Sequence, residues 1–458
     1  MAPLYCYYGD DFTGSTDVLE QLATNGVPSV LFLAEPQPAQ MARFAHCLAV
    51  GFAGDARSRS PEWMSAHLPA IFTRMRALSP RIVHYKVCST FDSAAHRGSI
   101  GRALEIGREI FGTAAVPIVV GAPHLGRFVL FGQLFAAAGE EVYRIDRHPT
   151  MAHHPATPMH EADLRLHLAD QTALSIGLVD LRAFQTGKVS DSFRICAQAG
   201  EDAIVLDGLN EAMLLQTGHL LDDLRRPSRP LFAIGSSGLT AGLIAYWREA
   251  GLLSPEPISA APAIAQEKET IGGPLLVLSG SCSEITARQI LWASRHGYAS
   301  VELDAAELAM GGRQGTEAAL QAGMTHLQSG RDTVLYTSLG VPSGAIYSEG
   351  LGAALGRLLL ALVQQTGVRR IVLCGGDTSS HALQQLNLTA LTFAGRLAPG
   401  APLCRAHAEE SSGLDGLELV LKGGQIGPEN FFQIARHGKA GESAAVLSPS
   451  SRKCNPPA

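Results

Sequence analysis

Leu275-Leu-Val-Leu-Ser-Gly-Ser-Cys-Ser-Glu284 is an apolar run that stops at a Gly/Ser turn, followed by a helical stripe at Ile285, Ile290 and Leu291. The device recurs in Ile371-Val-Leu-Cys-Gly-Gly-Asp-Thr-Ser-Ser380, with Ala382, Leu383 and Leu386 continuing the stripe. A third apolar strand closes in Leu421-Lys-Gly-Gly-Gln-Ile-Gly427. Short runs this apolar suit strands buried on both faces, as in parallel sheets covered by helices. Outward from these turns the alternation fills the chain, with apolar runs at 4–8, 29–34, 47–52, 81–87, 116–122, 175–181, 203–207, 230–235 and 332–338. Helical patterns such as 17–25 and 350–366 lie between them.

This alternation predicts an α/β protein of two domains, each a mostly parallel sheet flanked by helices, with a cleft between them. The boundary falls in a Pro/Ala-rich, charged stretch without period, so the expected division is 1–250, a linker at 251–273, 274–440 and a flexible tail at 441–458. With 458 residues, 46% hydrophobic and 17% charged, the chain is too apolar for general disorder. The 48 glycines and 25 prolines, spread throughout, exclude a coiled coil.

A net charge of −6 without a basic stripe argues against nucleic-acid binding. No apolar stretch approaches the ~20 residues that a bilayer span needs. The N-terminus lacks a leader-like pattern and meets Asp10 and Asp11 almost at once, so a cytoplasmic, soluble protein is expected. Eight scattered cysteines without a CxxC pair predict reduced thiols, with neither disulfides nor structural zinc.

A single strand–Gly–helix turn is most often only a tight connection. Three at the carboxyl ends of apolar strands point instead to a phosphate or nucleotide, held by free N–H groups at helix N-termini. Neither the Walker A pattern nor G-x-G-x-x-G is present, so the scheme is a different one. Ser281 and Glu284 have capping-box spacing, and Thr378 or Ser379 can cap the second helix.

At the N-terminus, Gly9-Asp-Asp-Phe-Thr-Gly-Ser-Thr-Asp17 follows a strand. Asp17 and Glu20 can cap the next helix, which leaves Asp10 and Asp11 in surplus. Two adjacent carboxylates repel, so one titrates high or a cation lies nearby. Such a pair can accept a hydroxyl proton or help to hold Mg²⁺, and it can equally be a solvated turn. Lys86, Arg57 and Arg59 are cations able to pair a substrate carboxylate, or to form surface ion pairs. The segment 143–160 carries four histidines, three prolines and two arginines, in a spacing that fits no helical metal motif. It reads as a rigid loop, either presenting His and Arg to an anion or purely structural, and no residue is assigned as a metal ligand.

Taken together, these motifs resemble the four-carbon acid sugar kinase family over most of the chain. The resemblance rests on Asp10-Asp-Phe-Thr-Gly14, Ser58-Arg-Ser60, Lys86 with Cys88-Ser-Thr-Phe-Asp-Ser93, and His154-Pro-x-Thr-Pro-Met159. It continues in Gly235-Ser-Ser-Gly238, Leu278-Ser-Gly-Ser-Cys-Ser283, Gly375-Gly-Asp-Thr-Ser379 and Lys422-Gly-Gly424. What it implies is an N-terminal domain that binds a small anionic sugar acid and a C-terminal domain that binds ATP with Mg²⁺. It further implies Asp10 and Asp11 as catalytic groups. Substrate contacts then fall on Arg59, Lys86, Ser89, Thr90, His154, Gly235, Ser236, Ser237 and Gly238. ATP contacts fall on Ser279, Ser281, Gly375, Gly376, Asp377, Thr378, Lys422 and Gly424.

Departures bear on the substrate. Asp377 stands where Glu is the commoner family choice, and Lys422-Gly-Gly-Gln replaces a Lys-Ser-Gly-Asn-like run. Ala122-Pro-His-Leu-Gly-Arg127 replaces the Asn-Gly-Arg run of tetronate kinases, and the stretch 143–151 is also unlike theirs. Both tilt the reading from threonate or 3-oxo-tetronate towards 3-oxo-isoapionate. The expected reaction is in-line phosphoryl transfer to a sugar-acid hydroxyl, with hinge closure excluding water. A NAD-linked sugar-acid dehydrogenase and a non-catalytic sugar-acid sensor are the alternatives. A homo-oligomer is left open.

Overall fold

The computed structural model describes residues 2–154, 156–226, 229–253, 272–340 and 349–437. The expected linker and tail therefore lie almost wholly outside the described residues. Apolar runs of the N-terminal half form β1 (Tyr5–Gly9), β2 (Ser29–Phe32), β3 (Ala49–Ala53), β4 (Ile82–Lys86) and β5 (Val116–Val119). After them come β6 (Arg127–Leu130), β7 (Gln133–Ala138), β8 (Glu141–Arg144), β9 (Ile176–Val179), β10 (Ala203–Leu206) and β11 (Leu231–Gly235). The C-terminal half supplies β12 (Leu275–Ser279), β13 (Ala299–Glu302), β14 (Thr333–Tyr336) and β15 (Arg370–Cys374). It ends with β16 (Ala390–Ala398), β17 (Ala401–His407) and β18 (Glu418–Lys422).

Each half contains a helix-flanked parallel block, as expected. The two blocks are not separate sheets, however. They form one 15-stranded sheet in the order β13-β14-β12-β15-β18-β17-β16-β2-β3-β1-β4-β11-β5-β10-β9. The joint is the hairpin β16–β17, antiparallel to β18 on one side and to β2 on the other, where Ala390 and Leu391 face Phe32 and Leu31. This hairpin covers two sheet edges that would otherwise present unpaired N–H and C=O groups. On one face the helix Phe12–Thr24 buries Val18, Leu19 and Leu22 in a cluster shared with Leu383, Leu391, Cys404 and Leu419 of the other half. The opposite face has separate cores, around Tyr8, Phe72 and Phe232 in one half and Val277, Val372 and Phe431 in the other.

Strands β6–β8 make a small antiparallel sheet apart from the large one. It is fastened by reciprocal backbone bonds between Val129 and Gly208, and by Asp207, which accepts from the Phe131 and Gly132 amides at 2.7 and 2.9 Å. The proline-rich segment after it forms two 3-10 turns, at Ile145–Arg147 and Met151–His153, rather than a longer helix. Among the described residues no helix is long and apolar enough to cross a membrane. The described cysteines are all unpaired thiols.

Candidate active site

Parallel register brings the carboxyl ends of neighbouring strands level. Gly9, Lys86 and Gly235 stand abreast in β1, β4 and β11, as do Ser279, Cys374 and Lys422 in β12, β15 and β18. The turns singled out in the sequence all leave from these ends.

The first helix begins earlier than the sequence suggests, at Phe12. Its N-cap is Asp11, whose Oδ1 accepts from the Gly14 amide at 2.7 Å, in place of the expected Asp17 and Glu20. The other oxygen, Oδ2, accepts from Arg57 Nη2 at 2.6 Å. Asp10 differs: it is buried, and its Oδ1 has no hydrogen-bond partner among the described residues. Burial raises its pKa to about 7, with the charges of Arg57 and Lys86 pulling down and Asp11 pushing up. Lys86 is buried beside them, its Nζ donating to the Val87 carbonyl at 3.0 Å.

The turn after β4 adds a third carboxylate. Thr90 donates to Asp92 Oδ1 at 2.5 Å, and Thr157 donates to Oδ2 at 3.2 Å. Burial alone would raise the Asp92 carboxyl, but Arg57 and then His154 outweigh it and hold it below the usual range. His154 Nδ1 accepts from the Thr157 amide at 3.1 Å, so the proline-rich loop is anchored to this turn. Ser89 is half-buried at the same turn. Beside it, Ser236 caps the helix Ser237–Glu249 through the Gly238 amide, and the buried Ser237 hydroxyl has no partner among the described residues. Gly238 has no alternative, because a Cβ there would lie 1.8 Å from the Gly121 carbonyl oxygen.

In the C-terminal half three turns converge. Ser283 Oγ and Thr286 Oγ1 donate to the Gly424 carbonyl at 2.7 and 3.0 Å, and a Cβ on Gly424 would lie 2.9 Å from Ser281 Oγ. Ser279 is buried beneath, its Oγ accepting from the Ser281 amide at 3.4 Å. The cap of the helix Glu284–Arg295 is Ser283, two residues beyond the expected Ser281. Gly375, at a φ of +108°, leads into the helix Gly376–Gln384 without a side-chain cap, so neither Thr378 nor Ser379 plays that role. The side chains of Asp377 and Thr378 lie outside the described residues. Lys422 turns inward: its buried Nζ donates to Thr286 Oγ1 and the Gly423 carbonyl, both at 3.0 Å.

The two clusters meet. A Cβ on Gly376 would lie 3.2 Å from Arg57 Nη2 and 3.5 Å from Asp11 Oδ2. Gln384 reaches back to Asp55 at 3.3 Å, and Asp55 also grips Arg59 with Nε at 3.0 Å and Nη2 at 2.6 Å. Of the two arginines in Asp55-Ala-Arg-Ser-Arg, Arg57 enters the carboxylate cluster while Arg59 is held at its edge. Arg57 is expected from the sequence only as a partner for a substrate carboxylate or in a surface ion pair, and sequence reasoning leaves Asp92 and Thr157 without a role in the site. A carboxylate and a hydroxyl inside quoted motifs were the available signal for the last two.

A sugar-binding N-terminal domain model matches residues 5–243, and a nucleotide-binding C-terminal domain model matches residues 276–432. A 3-oxo-isoapionate kinase of Paraburkholderia graminis is 40% identical over 95% of this chain and 94% of its own length. A 3-oxo-tetronate kinase of Pseudomonas fluorescens is 31% identical over 96% of this chain and 98% of its own. A crystal structure from Salmonella typhimurium LT2 superposes with a TM-score of 0.74 at 25% identity, covering 96% of this chain and all of that one. With both halves matched and the relatives aligned end to end, the chain belongs to the four-carbon acid sugar kinase family. It is an enzyme, a kinase of small acid sugars, rather than a dehydrogenase or a sensor.

Proposed function

We propose that this kinase acts in the cytoplasm, phosphorylates 3-oxo-isoapionate with Mg²⁺-ATP, and uses Asp10 as the base. The observation that carries the reading is the meeting of the Asp11–Arg57 pair with Gly376, because it puts an acid/base cluster against a turn suited to nucleotide phosphates. The substrate branch is supported by the 40% identity to a 3-oxo-isoapionate kinase, against 31% or less to the 3-oxo-tetronate kinases.

In this reading the sugar-acid hydroxyl sits against Asp10, whose free oxygen takes its proton as the oxygen attacks the γ-phosphorus. The bond from that phosphorus to the β–γ bridging oxygen breaks, and ADP leaves. Asp11 cannot serve equally, because both its oxygens are already bound. Its part is to fix Arg57, whose charge faces the phosphoryl group in flight. Ser281, Gly375 and Gly424 provide the close backbone approach that phosphates require. Among the described residues no group of three or more His, Cys, Asp or Glu side chains could hold a metal. Mg²⁺ would enter with ATP and supply charge neutralisation at its phosphates.

ADP release measured with D- and L-tetronates, 3-oxo-tetronates and 3-oxo-isoapionate tests the reading. Turnover of 3-oxo-isoapionate above the rest is expected. A 3-oxo-tetronate preferred by tenfold or more would overturn the substrate, and silence across the panel would overturn the substrate class.

A further inference from the structure

Arginine grips a carboxylate best along the edge made by Nε and Nη2, where two N–H groups point the same way. This chain uses that edge repeatedly: Arg59 on Asp55, Arg144 on Asp146, Arg165 on Asp163 and Arg182 on Asp180 are all held through Nε and Nη2. Arg127 is built differently. Its Nη1 donates to the carbonyls of Leu125, Gly126 and Ala137 at 2.7, 3.3 and 3.3 Å, which fixes the plane of the guanidinium. Its Nε is buried without a partner, and no acidic side chain pairs with it among the described residues. The edge that those arginines, and Arg370 on Glu418, fill with a carboxylate is thus unfilled in Arg127 among the described residues.

Its setting is rigid. Arg127 opens β6 and is locked to Ala122 by reciprocal backbone bonds at 2.9 and 3.1 Å. Gly126 before it has a φ of +67°, and a Cβ there would lie 2.8 Å from the Ala137 Cβ. The Ala122 backbone that pairs with it lies against the turn at Gly238, where a Cβ would come within 3.3 Å of Ala122 Cα, and both His148 and the Cys88 thiol of the turn after β4 interact with its charge. Arg127 therefore borders the candidate active site on the side of the turn after β4. The other arginines of that site, Arg57 and Arg59, are already neutralised by Asp11 and Asp55. An anionic substrate entering a cluster with three aspartates needs cations without a carboxylate partner, and Arg127 adds one to Lys86, whose Nζ is bonded only to the Val87 carbonyl among the described residues.

We propose that Arg127 binds the carboxylate of the acid sugar through its Nε/Nη2 edge, and so sets the distance from that carboxylate to the hydroxyl presented at Asp10. The inference rests on the sugar-acid kinase reading and makes Arg127 a specificity-determining residue.

The test compares wild type with Arg127→Gln and Arg127→Lys, on the acid that wild type turns over best and on its neutral amide. Arg127→Gln should raise KM for the acid by roughly 10- to 100-fold, with kcat within a few-fold and KM for ATP unchanged. It should leave the amide, already a poor substrate, nearly unaffected, and Arg127→Lys should recover only part of the acid's KM because it restores charge without the fork. An unchanged KM for the acid overturns the proposal. So does an equal loss on acid and amide, which is the signature of a merely structural residue. Failure of wild type on every acid in the panel removes the sugar-acid reading itself. Unaltered binding of those acids by Arg127→Gln in calorimetry would then remove this inference separately.

Discussion

Asp10 and Asp11 are adjacent in sequence and opposite in bonding: both Asp11 oxygens are engaged, by Gly14 and Arg57, whereas Asp10 keeps a buried oxygen without a partner. Their replacements should separate accordingly. Asp10→Asn removes the proposed proton acceptor and should lower kcat by about 10²–10⁴-fold with KM for ATP unchanged. Asp11→Asn keeps an oxygen able to cap the helix, because Asn caps as well as Asp, but it removes the charge paired with Arg57 and so loosens it. Its turnover should fall less than that of Asp10→Asn, alongside a lower melting temperature. Steady-state kinetics and thermal melts on both variants check this, and equal turnover losses would return the choice of base to open.

The pH dependence carries a sign. Asp10 must be ionised to accept a proton, and its pKa lies at about 7, so kcat/KM should rise as pH increases through neutrality. Arg57 holds that pKa down and Asp11 pushes it up. Arg57→Gln should therefore move the acid limb to higher pH, and Asp11→Asn to lower pH. Stability runs the other way. Because the folded-state pKa is raised above the unfolded value, ionising Asp10 opposes folding, increasingly from about pH 4 and fully above about pH 7. Asp10→Asn should accordingly gain melting temperature over wild type at pH 8 and much less at pH 4. A profile flat between pH 6 and 8 would remove Asp10 as the titrating group.

Arg57 lies against Gly376 and Asp11, and in the proposed mechanism it faces the phosphoryl group. Arg57→Gln should lose roughly 10²–10³-fold in kcat, the range for removing one preorganised donor to a developing charge. KM for either substrate should change little. A loss confined to KM for the acid sugar would reassign Arg57 to substrate binding.

Gly424→Ala places a methyl group against Ser283 and Ser281, whose atoms lie at 2.8 and 2.9 Å from the new Cβ. Overpacking of that kind costs about 1–3 kcal/mol. If the turn holds the nucleotide as proposed, KM for ATP should rise by roughly tenfold or more, with KM for the acid sugar unchanged.

Lys422 supports the same turn through Thr286 and the Gly423 carbonyl. Lys422→Met should leave Thr286 and the Gly423 carbonyl short of a partner, a loss of roughly 1–3 kcal/mol. It should lower the melting temperature and raise KM for ATP together, while kcat on saturated enzyme stays within a few-fold. A large fall in kcat alone would instead make Lys422 a direct phosphate contact.

Much of this is legible in the sequence because parallel strands and their exit turns are local. An apolar run, a Gly/Ser turn and a helical stripe sit within a dozen residues, so the pattern by itself groups Ser279, Gly375 and Gly424. Helix starts are less legible. Asp11 rather than Asp17, and Ser283 rather than Ser281, become caps because each lies where the backbone leaves its strand, and several Asp or Ser residues nearby fit the rule equally. Arg57 and Arg59 illustrate the other limit. Two like side chains two residues apart are indistinguishable until Asp11 and Asp55 are positioned by separate strands. The single sheet is hidden for the same reason, since β2 and β16 are separated by more than three hundred residues and pair over only two positions.

That short pairing has a thermodynamic consequence. The Phe12–Thr24 helix packs on both halves, and the hairpin β16–β17 is edge partner to both parallel blocks. Neither half can melt without stripping its neighbour of an edge and part of its core. Heat should therefore unfold the chain in one calorimetric transition, and a nucleotide bound to the C-terminal half alone should protect the sugar-binding half to the same degree.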